Sequence, residues 1–335
     1  MFFRQVLHRD LGCASYVLAD DGRGVVVDPR WDVEVYLALA ATEDFDIAHV
    51  LDTHDHADHV SGRERLSALT GAAVHRPGSE GAEALVIQVG TLRLWTLPTP
   101  GHRPEHRVVA VADLSRSPEP WLVLSGDSIL VGDLARPDLA YEASEGARAL
   151  HGTVARLLEL GDHVEIWPAH VGGSLCGGAG LSGKTSSTVG FERLHNPLAQ
   201  MGQAEFVAEL TGSLSTRPPN IDHVVALNRQ TRMPAPVPLE PIDEAELQRF
   251  LSGAATVLDG RPPHEFDAGH LAGAINLPVS SPGVGTRAGW ALGPDEEILI
   301  MAANAEEAWQ MAGALQAVGF RRLAGYAVAD RGAWE

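Results

Sequence analysis

Three histidines and two aspartates fall within the seven residues Thr53-His54-Asp55-His56-Ala57-Asp58-His59, directly after the apolar run from Ile47 to Leu51. Imidazole nitrogen and carboxylate oxygen at this density describe a metal site, and together they suit zinc, iron or manganese. In an extended segment residues two apart project to the same side, so His54 and His56 are expected to meet one ion. Asp58 and His59 then open the next element and face the ion from another angle.

The elements that must position these ligands are short apolar runs that read as buried strands, and further candidates follow each of them. His102, with Glu105 and His106 just beyond it, follows the alternating stretch Thr91 to Leu97 and the turn Pro98-Thr99-Pro100-Gly101. Asp127 follows Trp121 to Leu124, and His170 follows Val164 to Trp167. Loops at one end of a sheet are where a rigid scaffold places chemistry. Taken singly, Asp127 reads equally as a turn residue and His170 as a hydrogen-bonded core histidine. In series with the first motif they read as ligands. Leu150, Val154, Leu157 and Leu158 form an apolar stripe on a helix expected from Ala147 to Leu160, and Leu66 and Leu69 form another before the stop at Gly71.

A chain of 335 residues, 45% hydrophobic and 21% charged, is long enough for two domains with real cores. A net charge of −19 argues against nucleic acid as a partner, because such binding needs a cationic footprint. No segment approaches the roughly twenty apolar residues of a membrane span. The start Met1-Phe2-Phe3-Arg4-Gln5 has no apolar core with a cleavage site, so a cytoplasmic protein with no membrane partner is expected. Cys13 and Cys176 are the two cysteines and are expected to be free thiols. Cys13 is expected in the core at the first strand, and Cys176 on a glycine-rich loop beside the metal.

The ligand series His54, His56, Asp58, His59, His102, Asp127 and His170 resembles that of the metallo-β-lactamase superfamily over about the first two thirds of the chain. The resemblance implies an α/β fold: an αββα sandwich of two mixed sheets with helices outside and the metal at one edge. It does not choose a reaction, since many chemistries share this ligand set.

Proline recurs from Arg217-Pro218-Pro219 through Met233-Pro234-Ala235-Pro236-Val237-Pro238 to Pro241, which reads as an extended linker over 217–242. Asp243 then caps a helix from Glu244 to Leu251, with Glu246 completing a capping box, and a strand runs from Ala255 to Leu258. The series Asp259-Gly260-Arg261, Glu265-Phe266, Gly269-His270 and Gly273-Ala274-Ile275-Asn276 is similar to the opening of a rhodanese domain, a small α/β module. Active rhodaneses carry a cysteine after the strand that corresponds to Glu297 to Met301; here that position is Ala302, followed by Glu306 and Glu307. Without a thiolate there is no sulfur transfer. The expected organisation is a catalytic domain over 1–216, the linker, and a catalytically silent rhodanese-like domain over 243–335.

Within the superfamily, a rhodanese fusion resembles the persulfide dioxygenases, and the blocks 99–106, 125–138, 168–177 and Lys184 to Arg193 with Asn196-Pro197 are similar to that group. The resemblance implies oxidation of the outer sulfur of a small-thiol persulfide to sulfite by O2, in sulfide detoxification, at mononuclear Fe(II) held by His54, His102 and Asp127. It implies that His56, Asp58, His59 and His170 form a supporting shell or a second metal site, and that Arg136 helps to hold the thiol carrier. Cys176 is a candidate persulfide acceptor. Val171 and Gly172 stand where glutathione-using members carry aspartate and tyrosine, which puts glutathione as carrier in doubt. A sulfur-carrier protein and a second copy of the chain are the expected macromolecular partners. The alternatives are a dinuclear zinc thioester hydrolase of glyoxalase II type and a non-catalytic sulfur-carrier binder.

Overall fold

The computed structural model describes residues 1–329 apart from 79–83, 173, 175, 179, 213, 233, 234 and 254. Gly173, Leu175, Met233, Pro234 and the last residues expected in the second domain, 330–335, therefore lie outside the described residues. The chain forms two compact units, Met1–His56 with Ser61–Thr216, and Ala57–Val60 with Arg217–Glu335.

The first unit opens with β1 (Phe2–His8), β2 (Cys13–Asp20), β3 (Arg23–Val27), α1 (Glu34–Thr42) and β4 (Asp46–Leu51). It continues with α2 (Arg63–Thr70), β5 (Ala73–His75), β6 (Val86–Val89), β7 (Leu92–Pro98), β8 (Arg107–Asp113) and β9 (Leu122–Gly126). Then come α3 (Ala143–Leu157), β10 (Glu165–Pro168), β11 (Ser187–Thr188), α4 (Val189–His195) and α5 (Gln203–Gly212). Strands β1 to β5 make one sheet in sequence order, and β11-β10-β9-β8-β7-β6 make the other. Both are mixed: β3 and β4 pair parallel, as do β9 and β10, while β7, β8 and β9 alternate.

Three apolar layers hold this unit together. Tyr16, Leu18, Val25 and Val27 of one sheet meet Leu92, Leu94, Val109, Leu122 and Leu124 of the other. On the outer face of the first sheet, Val17, Val26 and Val50 pack against Tyr36 of α1 and Leu66 of α2. On the outer face of the second, Val108 and Val123 pack against Leu150 and Val154 of α3 and Phe206 of α5. Strands buried on both faces need near-continuous apolar runs, which is why Cys13–Ala19 and Arg107–Ala112 are buried without alternation. The expected αββα sandwich is the observed architecture.

Several local expectations are corrected. Cys13 is buried at the start of the second strand, because Phe2–His8 forms β1 and pairs antiparallel with it. Helix α3 begins at Ala143 rather than Ala147, since the Glu142 carboxylate accepts from the Ser144 and Glu145 amides and caps it there. Leu69 is 57% exposed, whereas Leu66 alone carries the apolar face of α2. Gly71 ends that helix in the left-handed conformation, as its type suggests.

In the second unit, α6 (Ile221–Asn228) lies within the stretch expected to be extended. Pro218 and Pro219 precede its cap at Asn220, where proline is compatible with a helix start, so proline content alone misjudged 217–242. There follow α7 (Glu244–Leu251), β12 (Thr256–Asp259), α8 (Pro263–Ala268), β13 (Ile275–Asn276), α9 (Val284–Ala291), β14 (Ile298–Ala302), α10 (Ala305–Ala317) and β15 (Leu323–Val328). The sheet is parallel, in the order β13-β12-β14-β15. The capping box of Asp243 and Glu246 forms as expected.

Candidate metal centre

Parallel pairing brings strand ends together. Asp28 follows β3, Asp52, Thr53 and His54 follow β4, Asp127 follows β9 and His170 lies just beyond β10. Strand β7 runs the same way as β9, two strands across the sheet, so the turn after Pro98 delivers His102 to the same end. Gly126 turns the chain into Asp127 with φ of 52°. A Cβ there would lie 2.5 Å from His106 Nε2 and 2.8 Å from Thr53 Oγ1, so only glycine permits the packing.

His54, His102 and Asp127 each offer a ligand atom within 4.8 Å of the others, and all three side chains are buried. Asp127 Oδ2 lies 3.3 Å from His102 Nε2 and 3.7 Å from His54 Nε2. The two imidazole nitrogens are buried and make no hydrogen bond, a costly arrangement unless a cation accepts their lone pairs. Their far sides agree with that role. His102 Nδ1 lies 2.8 Å from the carbonyl of Arg136, which can only accept, so the proton sits on Nδ1 and Nε2 carries the lone pair. Burial, reinforced by the surrounding imidazoles, holds His54 well below the ordinary histidine range, and burial likewise lowers His102. These residues fit a two-histidine, one-carboxylate metal face, the donor set of non-haem iron sites.

Two further histidines brace the carboxylate. His170 Nδ1 donates to Asp127 Oδ1 at 2.5 Å. His106 Nε2 accepts from the Asp127 amide at 2.8 Å, and its Nδ1 faces Thr99 Oγ1 at 2.7 Å. Burial lowers the His106 pKa to about 4, so this acceptor is neutral near pH 7. The sequence pattern named His106 as a neighbour of His102 and gave it no part; its place is behind the carboxylate.

His56 is drawn elsewhere. Its Nε2 lies 3.1 Å from Asp28 Oδ1, while its ring lies 4.2 Å from that of His54, centroid to centroid, beyond a bend at Thr53 and His54. Asp58 and His59 contact each other at 3.1 Å in a stretch, Ala57–Val60, that belongs to the second compact unit. The Arg136 guanidinium is taken up by Asp138, at 2.7 and 2.9 Å, and by the Ser215 carbonyl at 2.7 Å. Its backbone carbonyl, not its charge, faces the metal residues. Cys176 is buried, and it offers a ligand atom within 4.8 Å of those of Asp127 and His170. Its loop is pinned by Asp133, whose carboxylate accepts from the Gly180 amide at 3.2 Å.

The sequence reading missed Asp28, although the signal was present: it follows Val25-Val26-Val27, a carboxylate after an apolar strand like Asp127. It also missed Asp52, which pairs with buried Arg63 at 2.6 Å and accepts from Ser61 at 3.0 Å.

Residues 8–93 match the metallo-beta-lactamase superfamily, and residues 243–328 match the rhodanese-like domain. The chain is a metallo-β-lactamase domain followed by a rhodanese-like domain. A metallo-beta-lactamase from Staphylococcus aureus subsp. aureus COL superposes along nearly the whole length, with a TM-score of 0.87 and 27% identity, covering 98% of this chain and 99% of the other. Persulfide dioxygenase ETHE1 of Bos taurus is 25% identical over 250 residues, covering 70% of this chain and 91% of that protein. A hydroxyacylglutathione hydrolase of Pseudomonas putida (strain W619) is 32% identical over 159 residues, covering 44% of this chain and 57% of that protein. The chain thus spans little more than half the length of the hydrolase it matches. Among the described residues, no helix is long and apolar enough to cross a membrane.

Proposed function

We propose that the chain is an Fe(II)-dependent persulfide dioxygenase acting on a small-thiol persulfide, with His54, His102 and Asp127 holding a single iron. One observation carries the reading: the convergence of two unbonded buried imidazole nitrogens and one carboxylate oxygen on a common point. The extent of the match to persulfide dioxygenase ETHE1, 91% of that protein against 57% of the hydrolase, supports the same choice.

Bound iron would supply open coordination positions and a redox-active centre through which electrons from the outer sulfur reach O2. The protein's part is to hold the ligands and keep the site dry. Arg136 O fixes the His102 tautomer, and His170 with His106 fixes Asp127. Cys176, buried beside Asp127 and His170, is the thiol we assign as candidate persulfide acceptor. The stoichiometry consumes one persulfide, one O2 and one water and gives one thiol, one sulfite and two protons, so the outer sulfur is oxidised and O2 is reduced.

Oxygen uptake on adding a freshly prepared thiol persulfide to anaerobically purified, iron-loaded protein tests this, with metal content measured on the same sample. The expected result is one iron per chain and sulfite equal to the O2 consumed. Two zincs per chain, with no oxygen uptake after iron reconstitution and with thioester hydrolysis, would establish the glyoxalase II-type reading instead.

A further inference from the structure

We infer that Asp28 is a positioning residue that, through the Thr53 hydroxyl, sets the proton positions of both histidines in the His54-Asp55-His56 pair. The inference rests on the assignment of His54 as a metal ligand.

The donor and acceptor roles follow from the contacts of the Asp28 carboxylate. Asp28 is buried and accepts from the Thr53 amide at 2.6 Å and from Thr53 Oγ1 at 3.0 Å. Thr53 Oγ1 also lies 3.0 Å from His54 Nδ1. A hydroxyl has one hydrogen. When that hydrogen goes to the carboxylate, Thr53 can only accept from His54, so the His54 proton sits on Nδ1 and Nε2 is left as the lone-pair nitrogen facing Asp127 and His102. On its other side Asp28 Oδ1 takes His56 Nε2 at 3.1 Å, and an ionised carboxylate only accepts, so the His56 proton sits on Nε2. One carboxylate thereby imposes opposite tautomers on two histidines two residues apart. Asp52, the other nearby carboxylate, accepts from Arg63 and Ser61, while Asp28 accepts from Thr53 and faces His56 Nε2.

The backbone supports a placed rather than incidental carboxylate. Asp28 has φ of 53°, a left-handed conformation that a non-glycine residue adopts at a cost. The turn sends its side chain back under the loop after β4 instead of onward with the chain. Its amide donates to the Leu51 carbonyl at 2.9 Å, tying the turn to the strand that carries Thr53 and His54.

The test uses the full chain with 15N-labelled histidine, loaded with zinc as a diamagnetic probe, and reads tautomers by long-range proton–nitrogen correlation alongside zinc affinity. Protonation of His54 at Nδ1 and of His56 at Nε2 is expected in the unaltered chain. Thr53→Val is expected to weaken zinc by ~10–100-fold, the usual effect of losing a hydrogen bond behind a ligand, and Thr53→Ser to restore it. Asp28→Asn is expected to give mixed His56 tautomers. A His54 protonated at Nε2, or a folded Thr53→Val with unchanged zinc affinity and histidine signals, would overturn the inference. Should Thr53→Val not fold, an unchanged His56 pattern in Asp28→Asn overturns it by itself. A chain that binds zinc in this way yet, once reloaded with iron, consumes no O2 with persulfide refutes the proposed function and leaves the role of Asp28 standing.

Discussion

At the residue scale, Asp127 is the side chain with the fewest acceptable substitutes. Its Oδ2 faces His54 and His102 while its Oδ1 receives the His170 proton, so both oxygens must accept. Asn at this position has one acceptor and one donor. With its oxygen toward the metal, the amide NH2 meets the Nδ1–H of His170; with its oxygen toward His170, the NH2 points at the cation. Asp127→Asn is therefore expected to lose metal by more than the ~10–100-fold seen when only a supporting hydrogen bond is removed. Iron content after anaerobic gel filtration measures this, and a variant retaining stoichiometric iron would show that Asp127 is not a ligand. The grouping of His54, His102 and Asp127 was legible at this scale because histidines and aspartates after apolar runs are rare and chemically specific. Their division between facing the metal and bracing it was not, since it depends on which ring nitrogen meets a backbone carbonyl, an amide or a neighbouring carboxylate. His106 and His56 are the cases in point: both lie in the motifs, yet one braces Asp127 and the other is held by Asp28.

At the scale of elements, the centre depends on how closely turns approach helices. Gly101, one residue before His102, has φ of 144° and packs on the backbone of α3. A Cβ at Gly101 would lie 2.4 Å from Leu150 Cα and 2.5 Å from Leu150 N, backbone atoms that cannot turn aside. Gly101→Ala is thus expected to push the turn off the helix, costing at least the ~1–3 kcal/mol of an overpacked core and shifting His102 with it. A lower Tm together with weaker metal binding is the expected pair of outcomes; a lower Tm with unchanged metal affinity would mean that the turn absorbs the strain without moving His102. The strands were legible from their apolar runs, and the capping box at Asp243 from its residue types. The start of α3 is not legible from its apolar stripe because the Glu142 side chain sets it, and α6 is hidden in a proline-rich stretch whose Pro218 and Pro219 sit before its first turn.

At the scale of the whole molecule, chemistry and fold separate between the two domains. The first carries His54, His102, Asp127 and the residues that brace them, while the rhodanese-like domain contains no cysteine at all. Its architecture nonetheless survives: β14 ends at Ala302, Asn304 caps α10 by accepting from the Glu307 amide, and Asp259 and Arg261 remain paired at 2.6 Å. Both halves were legible in the sequence because each rests on a spaced motif, and the missing thiol was legible as a substitution within one. A cysteine alone does not make a sulfurtransferase, because the thiolate and the persulfide that follows it need a positive environment. The first turn of α10 instead presents Glu306 and Glu307. Their charges oppose the partial positive end of the helix, which would otherwise favour an anion at Ala302. Ala302→Cys is therefore expected to fold, to react with iodoacetamide near pH 7 more slowly than a free cysteine, and to transfer no sulfur from thiosulfate to cyanide. Removing both carboxylates in the same chain, as Ala302→Cys with Glu306→Gln and Glu307→Gln, is expected to speed alkylation. Sulfur transfer by Ala302→Cys alone would show that the loop still cradles an anion and that only the thiol is missing.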